Sequence, residues 1–281
     1  MQLKEKFNYF CKEYKIIPNL ELDQFFMIDP FTIEEMVELA KVNKKDVVLE
    51  IGSGFGFLTE VLAKKAKKVI TIEIDKRFER ILKKEFKKFK NVQIIIGNAL
   101  NYISKLKFNK IVSNPPYCIC EPLIHKLFKI KFDCAVMTLP LNFTKILTAK
   151  PKEKEYNILS LLTSSFFNIE IRESPVDRDV FYPTATVDSV IIKITPKLIN
   201  VEIESDKFII KDLYLQQKKK VKNALRETLI NLYKEVGKNL TKRESKKIIE
   251  KLKLSNELLE KKVNSLSLKD YEKIIKNFKL F

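Results

Sequence analysis

At 281 residues, 45% apolar and 32% charged, the chain has the balance of a globular protein with a core of ordinary size, enough for one large domain or a domain with an appendage. No run reaches about 18 apolar residues, so no membrane-spanning helix is expected, and the charges scattered through the opening MQLKEKFNYFCKEYK speak against a signal peptide. Lys and Arg number 54 against 36 Asp and Glu, a net +18; a lysine-rich proteome explains the lysines but not this imbalance, and a field of that sign favours nucleic acid over an acidic membrane as partner.

Cys11, Cys118, Cys120 and Cys134 show neither a disulfide framework nor zinc spacing, and there is one histidine. No metal is expected, and a reducing cytoplasm is the expected compartment. Residues 1–22 read as a helical extension that carries no functional signal. From Val47 short apolar runs alternate with helix-compatible segments: VVLEI (47–51), VITIEI (69–74), VQIII (92–96), KIVSN (110–114) and DCAVMTL (133–139), with a helical stretch over 75–89. Nearly continuous apolar strands separated by helices predict a parallel sheet covered on both faces. SFFNIEI (165–171) and VDSVIIKI (187–194) predict an antiparallel pair at one edge. The fold class is α/β, doubly wound and Rossmann-like, over residues 23–196. Beyond Pro196, residues 197–281 predict a small basic all-α domain of amphipathic helices: 211–236, 241–254 (with Thr241 and Glu244 as a capping box) and 267–278.

Three of the chain's five glycines fall in EIGSGFGFLT, at Gly52, Gly54 and Gly56, between the first strand of the alternating series and a helix. Glycine there permits a tight turn and close approach of a ligand to the backbone. The G-x-G-x-G spacing differs from the dinucleotide fingerprint and no phosphate-binding Lys follows, which points to a nucleoside without a pyrophosphate. Glu73 ends the next strand about 20 residues on, where such a site needs a carboxylate for the ribose hydroxyls. Asn98, after the third strand, is a candidate for the cofactor's adenine ring, or simply a turn residue. Asn114-Pro115-Pro116-Tyr117 follows the fourth strand at the carboxyl edge. Its prolines remove backbone donors, leaving the Asn114 side chain and nearby carbonyls as acceptors beside the flat face of Tyr117. That arrangement suits a planar base bearing an exocyclic amino group.

Together, EIGSGFGFLT, IEID, GNA and NPPY resemble the motifs of S-adenosylmethionine-dependent N6-adenine methyltransferases. DQFFMID (23–29), EYNILS (155–160) and FYPTATVDSVIIKI (181–194) narrow the resemblance to the rRNA adenine N6-dimethyltransferases, over roughly residues 23–225. The chain departs from that family's pattern at Asp23, Asn98, Pro115 and Ala185, and TLPLNFTKIL (138–147) lacks its Gln-x-Glu…Arg element. These departures lie around substrate and loop positions rather than the cofactor loop.

The resemblance implies S-adenosyl-L-methionine as cofactor, held by Gln24, Gly52, Gly54, Glu73, Asn98 and Asn114. It implies an adenine stacked on Tyr117, with Phe181 on its other face, and N6 hydrogens accepted by Asn114 Oδ1 and the Pro115 carbonyl. Lys218, Lys219 and Lys222, read as one face of a helix, are the expected phosphate contacts. Ribosomal RNA or a pre-ribosomal particle is the implied partner and a monomer the expected state. The competing readings are a DNA N6-adenine methyltransferase, which the proline at 115 favours, and a non-catalytic RNA-binding assembly factor.

Overall fold

The computed structural model describes residues 2–197 and 203–278, which gather into two compact units. One runs up to Lys145 and takes in Asn168–Pro196; the other joins Ile146–Phe167 to the described residues from Lys197 onward. The boundaries drawn from sequence differ from these units in two places. Segment 146–167 groups with the basic helices, and the N-terminal helix groups with the sheet.

The first unit begins with α1 (Leu3–Tyr14), a two-residue strand β1 (Phe26–Met27) and α2 (Pro30–Leu39). The alternating series follows: β2 (Val47–Ile51), α3 (Phe57–Lys65), β3 (Lys68–Glu73), α4 (Glu79–Glu85), β4 (Val92–Ile96), α5 (Ala99–Tyr102), β5 (Lys110–Ser113), α6 (Cys120–Leu127) and β6 (Cys134–Pro140). After α7 (Leu141–Thr148) and α8 (Ile158–Phe166) come β7 (Phe167–Ile171), β8 (Phe181–Tyr182) and β9 (Ser189–Pro196). Seven strands form one sheet in the order β4-β3-β2-β5-β6-β9-β7. β4 through β6 are parallel, and β9 runs antiparallel to β6. The parallel strands read as unbroken apolar runs because helices cover both faces; Val48, Leu49, Ile111, Val112 and Ala135 are all fully buried.

The chain steps outward from β2 through β3 to β4, then returns to place β5 on the other side of β2. Loops leaving β2 and β5 therefore diverge, and the crevice between them is where a doubly wound sheet takes its ligand. β1 pairs antiparallel with β8, with Met27 opposite Phe181. α1 starts with a capping box between Gln2 and Glu5 and buries Phe7 and Phe10, one turn apart, in the core that holds Phe55, Phe57 and Phe78.

In the second unit, α9 (Ile203–Leu215) and α13 (Leu268–Phe278) pack with α8 and with each other, α10 (Val221–Glu235) packs on α9, and α11 (Lys242–Lys251) and α12 (Asn256–Glu260) pack on α10. The helix expected over 211–236 is broken at Gln216–Lys220. Gln216 Nε2 folds back on Asp212 Oδ2 at 2.8 Å, and Lys220 is extended, bridging to Lys262. Lys218 and Lys219 thus lie in a turn and share no helix face with Lys222. Val221, Leu225 and Leu229 are buried as expected, and Thr241 and Glu244 form the capping box.

Candidate active site

Gly52, the first residue beyond β2, adopts φ +79°, and a Cβ on it would meet Pro116 Cδ at 3.2 Å. That distance brings the glycine loop against the Asn-Pro-Pro-Tyr loop at the carboxyl ends of β2 and β5. Gly54 is more confined: at φ +50° its Cβ would lie 2.7 Å from the Phe26 ring. Only glycine fits both the backbone conformation and the contact.

Glu73 reaches the same loop from β3. It is 5% exposed; its Oε2 accepts the Gly54 N–H at 2.8 Å and its Oε1 accepts that of Asp75 at 2.9 Å. Burial raises its pKa, opposed by those two backbone donors. Each oxygen keeps a further lone pair for a ligand hydroxyl. Gln24 stands nearby, accepting from Asn19 N at 2.8 Å and donating to Asp75 Oδ2 at 2.8 Å. Asn98 instead caps α5, its Oδ1 accepting from Leu100 N at 2.9 Å; it is exposed and outside the cleft lining.

The cleft encloses about 690 Å³ between atoms, part of it open to solvent, and Gln24, Phe26, Ser53, Glu73 and Asn114 help to line it. Glu50, an acid inside the apolar run of β2, lines it too and is 1% exposed. Its Oε2 accepts the hydroxyls of Thr59 at 2.5 Å and Thr71 at 2.7 Å. Burial pushes its pKa up to about 7 against those hydrogen bonds, with the Glu73 charge adding to the rise. Sequence reasoning passed over Glu50; a carboxylate two positions before the first glycine, in a strand otherwise apolar, was the available signal. Ser53, between the first two glycines, is 7% exposed and its Oγ has no partner. A buried orphan hydroxyl beside glycine backbone fits a polar ligand in this cleft.

Asn114 is half-buried beyond β5. Its Nδ2 donates to the Phe25 carbonyl at 3.1 Å, and its Oδ1 accepts the hydroxyl of Thr138, a fully buried residue of β6. Among the described residues no donor reaches the Pro115 carbonyl, whereas Pro116 O accepts Ile119 N at 3.1 Å. The Tyr117 ring stacks with Phe25 at 6.3 Å between centroids and 27° between planes. Its hydroxyl and that of Ser189 are buried and complete no hydrogen bond. Burial raises the Tyr117 pKa, with the nearby Ser189 hydroxyl opposing.

Phe181 is not presented as a second plate: it is 2% exposed and belongs to the core with Met27. The aromatic beside Tyr117 is Phe25, which the pair of phenylalanines in DQFFMID offered but did not single out. Two of the three expected lysines are engaged, Lys219 with Glu227 and Lys222 with Glu260.

A glycine loop and a polar aromatic loop meeting at the switch point of a parallel sheet, with an antiparallel strand beyond, define the class of Rossmann-like methyltransferases. The family described as ribosomal RNA adenine dimethylase matches residues 18–270. The chain is 38% identical over 271 residues, 94% of both chains, to a probable ribosomal RNA small subunit methyltransferase A of Thermococcus sibiricus. It is 40% identical over 226 residues to that of Pyrococcus abyssi, covering 80% of this chain and 82% of the relative. Among solved structures, a dimethyladenosine transferase from Plasmodium falciparum superimposes with a TM-score of 0.71 at 28% identity, covering 90% of this chain and 96% of that one. The 23S rRNA methyltransferase ErmE shares the fold, with a TM-score of 0.62 at 20% identity, over 90% of this chain and 99% of that one. The chain belongs to the ribosomal RNA adenine dimethylase family and is an rRNA adenine methyltransferase.

Proposed function

We propose that this chain uses S-adenosylmethionine as methyl donor and that the Asn114–Tyr117 loop handles the adenine N6 amino group. The observation that carries this reading is the contact between the two loops, Gly52 against Pro116. It leaves one cleft bordered by nucleoside-binding and amine-accepting groups together. When bound, the cofactor supplies an electrophilic methyl group. Glu73 offers ribose acceptors, and Ser53 and the Gly52–Gly54 backbone suit the cofactor's polar atoms. Asn114 Oδ1 and the Pro115 carbonyl accept the two N6 hydrogens, drawing nitrogen toward a tetrahedral geometry in which its lone pair is available. Tyr117 supplies a face for the base, which must leave its stack to be reached. No strong base is required, because positioning and stabilisation of developing positive charge carry the step.

Titration calorimetry and a methyl-transfer assay on rRNA, tRNA and duplex DNA test this reading. Glu73→Ala is expected to weaken cofactor binding by about 1–3 kcal/mol, the scale of unpaired buried polar groups. Asn114→Ala is expected to leave that affinity nearly unchanged while turnover falls about 100-fold, as when one preorganised polar contact is lost. A wild-type protein that binds no cofactor, or an Asn114→Ala variant of normal turnover, overturns it.

A further inference from the structure

An asparagine side chain is a fork whose two ends are nearly the same shape, so only its hydrogen bonds decide which end is the acceptor. For Asn114 one end is settled by the Phe25 carbonyl, which accepts and cannot donate, and therefore selects Nδ2. Thr138 meets the other end. The parallel register runs Lys110 to Cys134 through Ser113 to Met137, so the next position along sets Asn114 beside Thr138. The Thr138 hydroxyl donates to Asn114 Oδ1.

The surroundings leave that hydroxyl few alternatives. Its strand neighbours Val136, Met137 and Leu139 are apolar and fully buried, as is Thr138 itself. A hydroxyl left unpaired there would be unfavourable, so Thr138 and Asn114 constrain each other. An amide oxygen has two lone pairs. Thr138 takes one, leaving one in a defined direction on an amide that can no longer turn.

We propose that Thr138 is a positioning residue for methyl transfer, holding Asn114 so that the free lone pair of Oδ1 is presented to the N6 amine. This rests on the role given to Asn114 above and extends it to a residue that touches neither cofactor nor base. Thr138 acts in the chemical step and not in cofactor binding.

The test is a cycle of variants assayed for turnover on rRNA and for cofactor affinity by calorimetry. Thr138→Val keeps the side-chain shape and removes the hydroxyl; turnover is expected to fall about five- to tenfold, the worth of one hydrogen bond. Its cofactor Kd should stay within about twofold of wild type, which also reports an intact fold. Thr138→Ser restores the hydroxyl and should recover most of the turnover. In the Asn114→Ala background Thr138→Val should have no further effect, since two residues acting through one contact are not additive. Wild-type turnover in Thr138→Val overturns the proposal. So does an equal loss in both backgrounds, which would mark a general packing effect. Normal turnover in Asn114→Ala alone is a different failure, that of the site reading itself.

Discussion

Glu50 and Glu73 put two carboxyl groups in one cleft, and the Glu73 charge adds to the rise that burial gives the Glu50 pKa. The Glu50 side chain, deep in the strand, is held by two threonine hydroxyls. The folded chain holds its proton more tightly than the unfolded chain does, so the stabilisation is complete below pH 4.5, the ordinary value, and is lost as pH rises through about 7. Glu50→Gln keeps an acceptor for both hydroxyls and removes the titration. Urea unfolding from pH 5 to 8 should show the wild type losing stability relative to this variant, by at most about 3 kcal/mol, the equivalent of a rise from 4.5 to about 7. A constant difference across that range would mean that Glu50 is not protonated in the folded state. The residues legible in the sequence were those whose spacing along the chain carries meaning: the glycines, Glu73 about 20 residues after them, and Asn114 at a strand end. Glu50 and Thr138 were not legible. A threonine in an apolar strand reads as an ordinary β-former, and its hydrogen bond crosses 24 positions of sequence.

At the scale of elements, α1 is tied to the cofactor side of the sheet through aromatic rings. Phe7 meets Phe55, the residue between Gly54 and Gly56, edge-on at 5.1 Å, and Phe26 at 5.7 Å. Phe10 stacks with Phe55 at 5.7 Å. Both phenylalanines of α1 are all but fully buried, so the helix is part of the core. Phe7→Ala should destabilise the protein by about 3–5 kcal/mol, through lost transfer energy and the cavity left behind. It should also weaken cofactor binding, because Phe55 loses one of the rings that fix its place in the loop. Denaturant unfolding and calorimetry on the same variant check both; a change below about 1 kcal/mol would make α1 peripheral. The helix itself could be read from its pattern, but its role could not, since Phe26 and Phe55, its partners, lie well downstream and follow no spacing rule. The break at 216–220 was hidden similarly: lysine run and flanking helices fit one helical period, while Gln216 and the bridge to Lys262 help to turn the chain.

For the molecule as a whole the surplus of positive charge remains the main pointer to RNA, but charge in the sequence is not free charge on the surface. Glu260 is drawn down to about 2 by hydrogen bonds from Lys220 and Lys222. Lys219 is held by Glu227. Changing Lys218, Lys219 and Lys222 together to Gln should therefore flatten the salt dependence of RNA binding by about 0.7–0.9 log units per log unit of salt, the worth of one phosphate contact rather than three. Filter binding across a salt series measures this; a loss of two or more contacts would mean that phosphates displace the glutamates.

The second unit is assembled from two stretches with most of β7 and all of β8 and β9 between them in sequence. That order has a consequence for the time the chain is being made. α8 leaves the ribosome early, while two of the helices it packs against, α9 and α13, are still untranslated. Roughly a hundred residues separate the end of α8 from the start of α13, so at about 5–20 residues per second the wait lasts on the order of 5–20 seconds. Throughout it α8, whose Leu159, Leu161 and Leu162 are buried in the finished protein, lacks these neighbours. The growing chain thus passes through an interval of exposed apolar surface that a helical domain encoded in one piece would avoid, and that interval is when a chaperone would matter most to it.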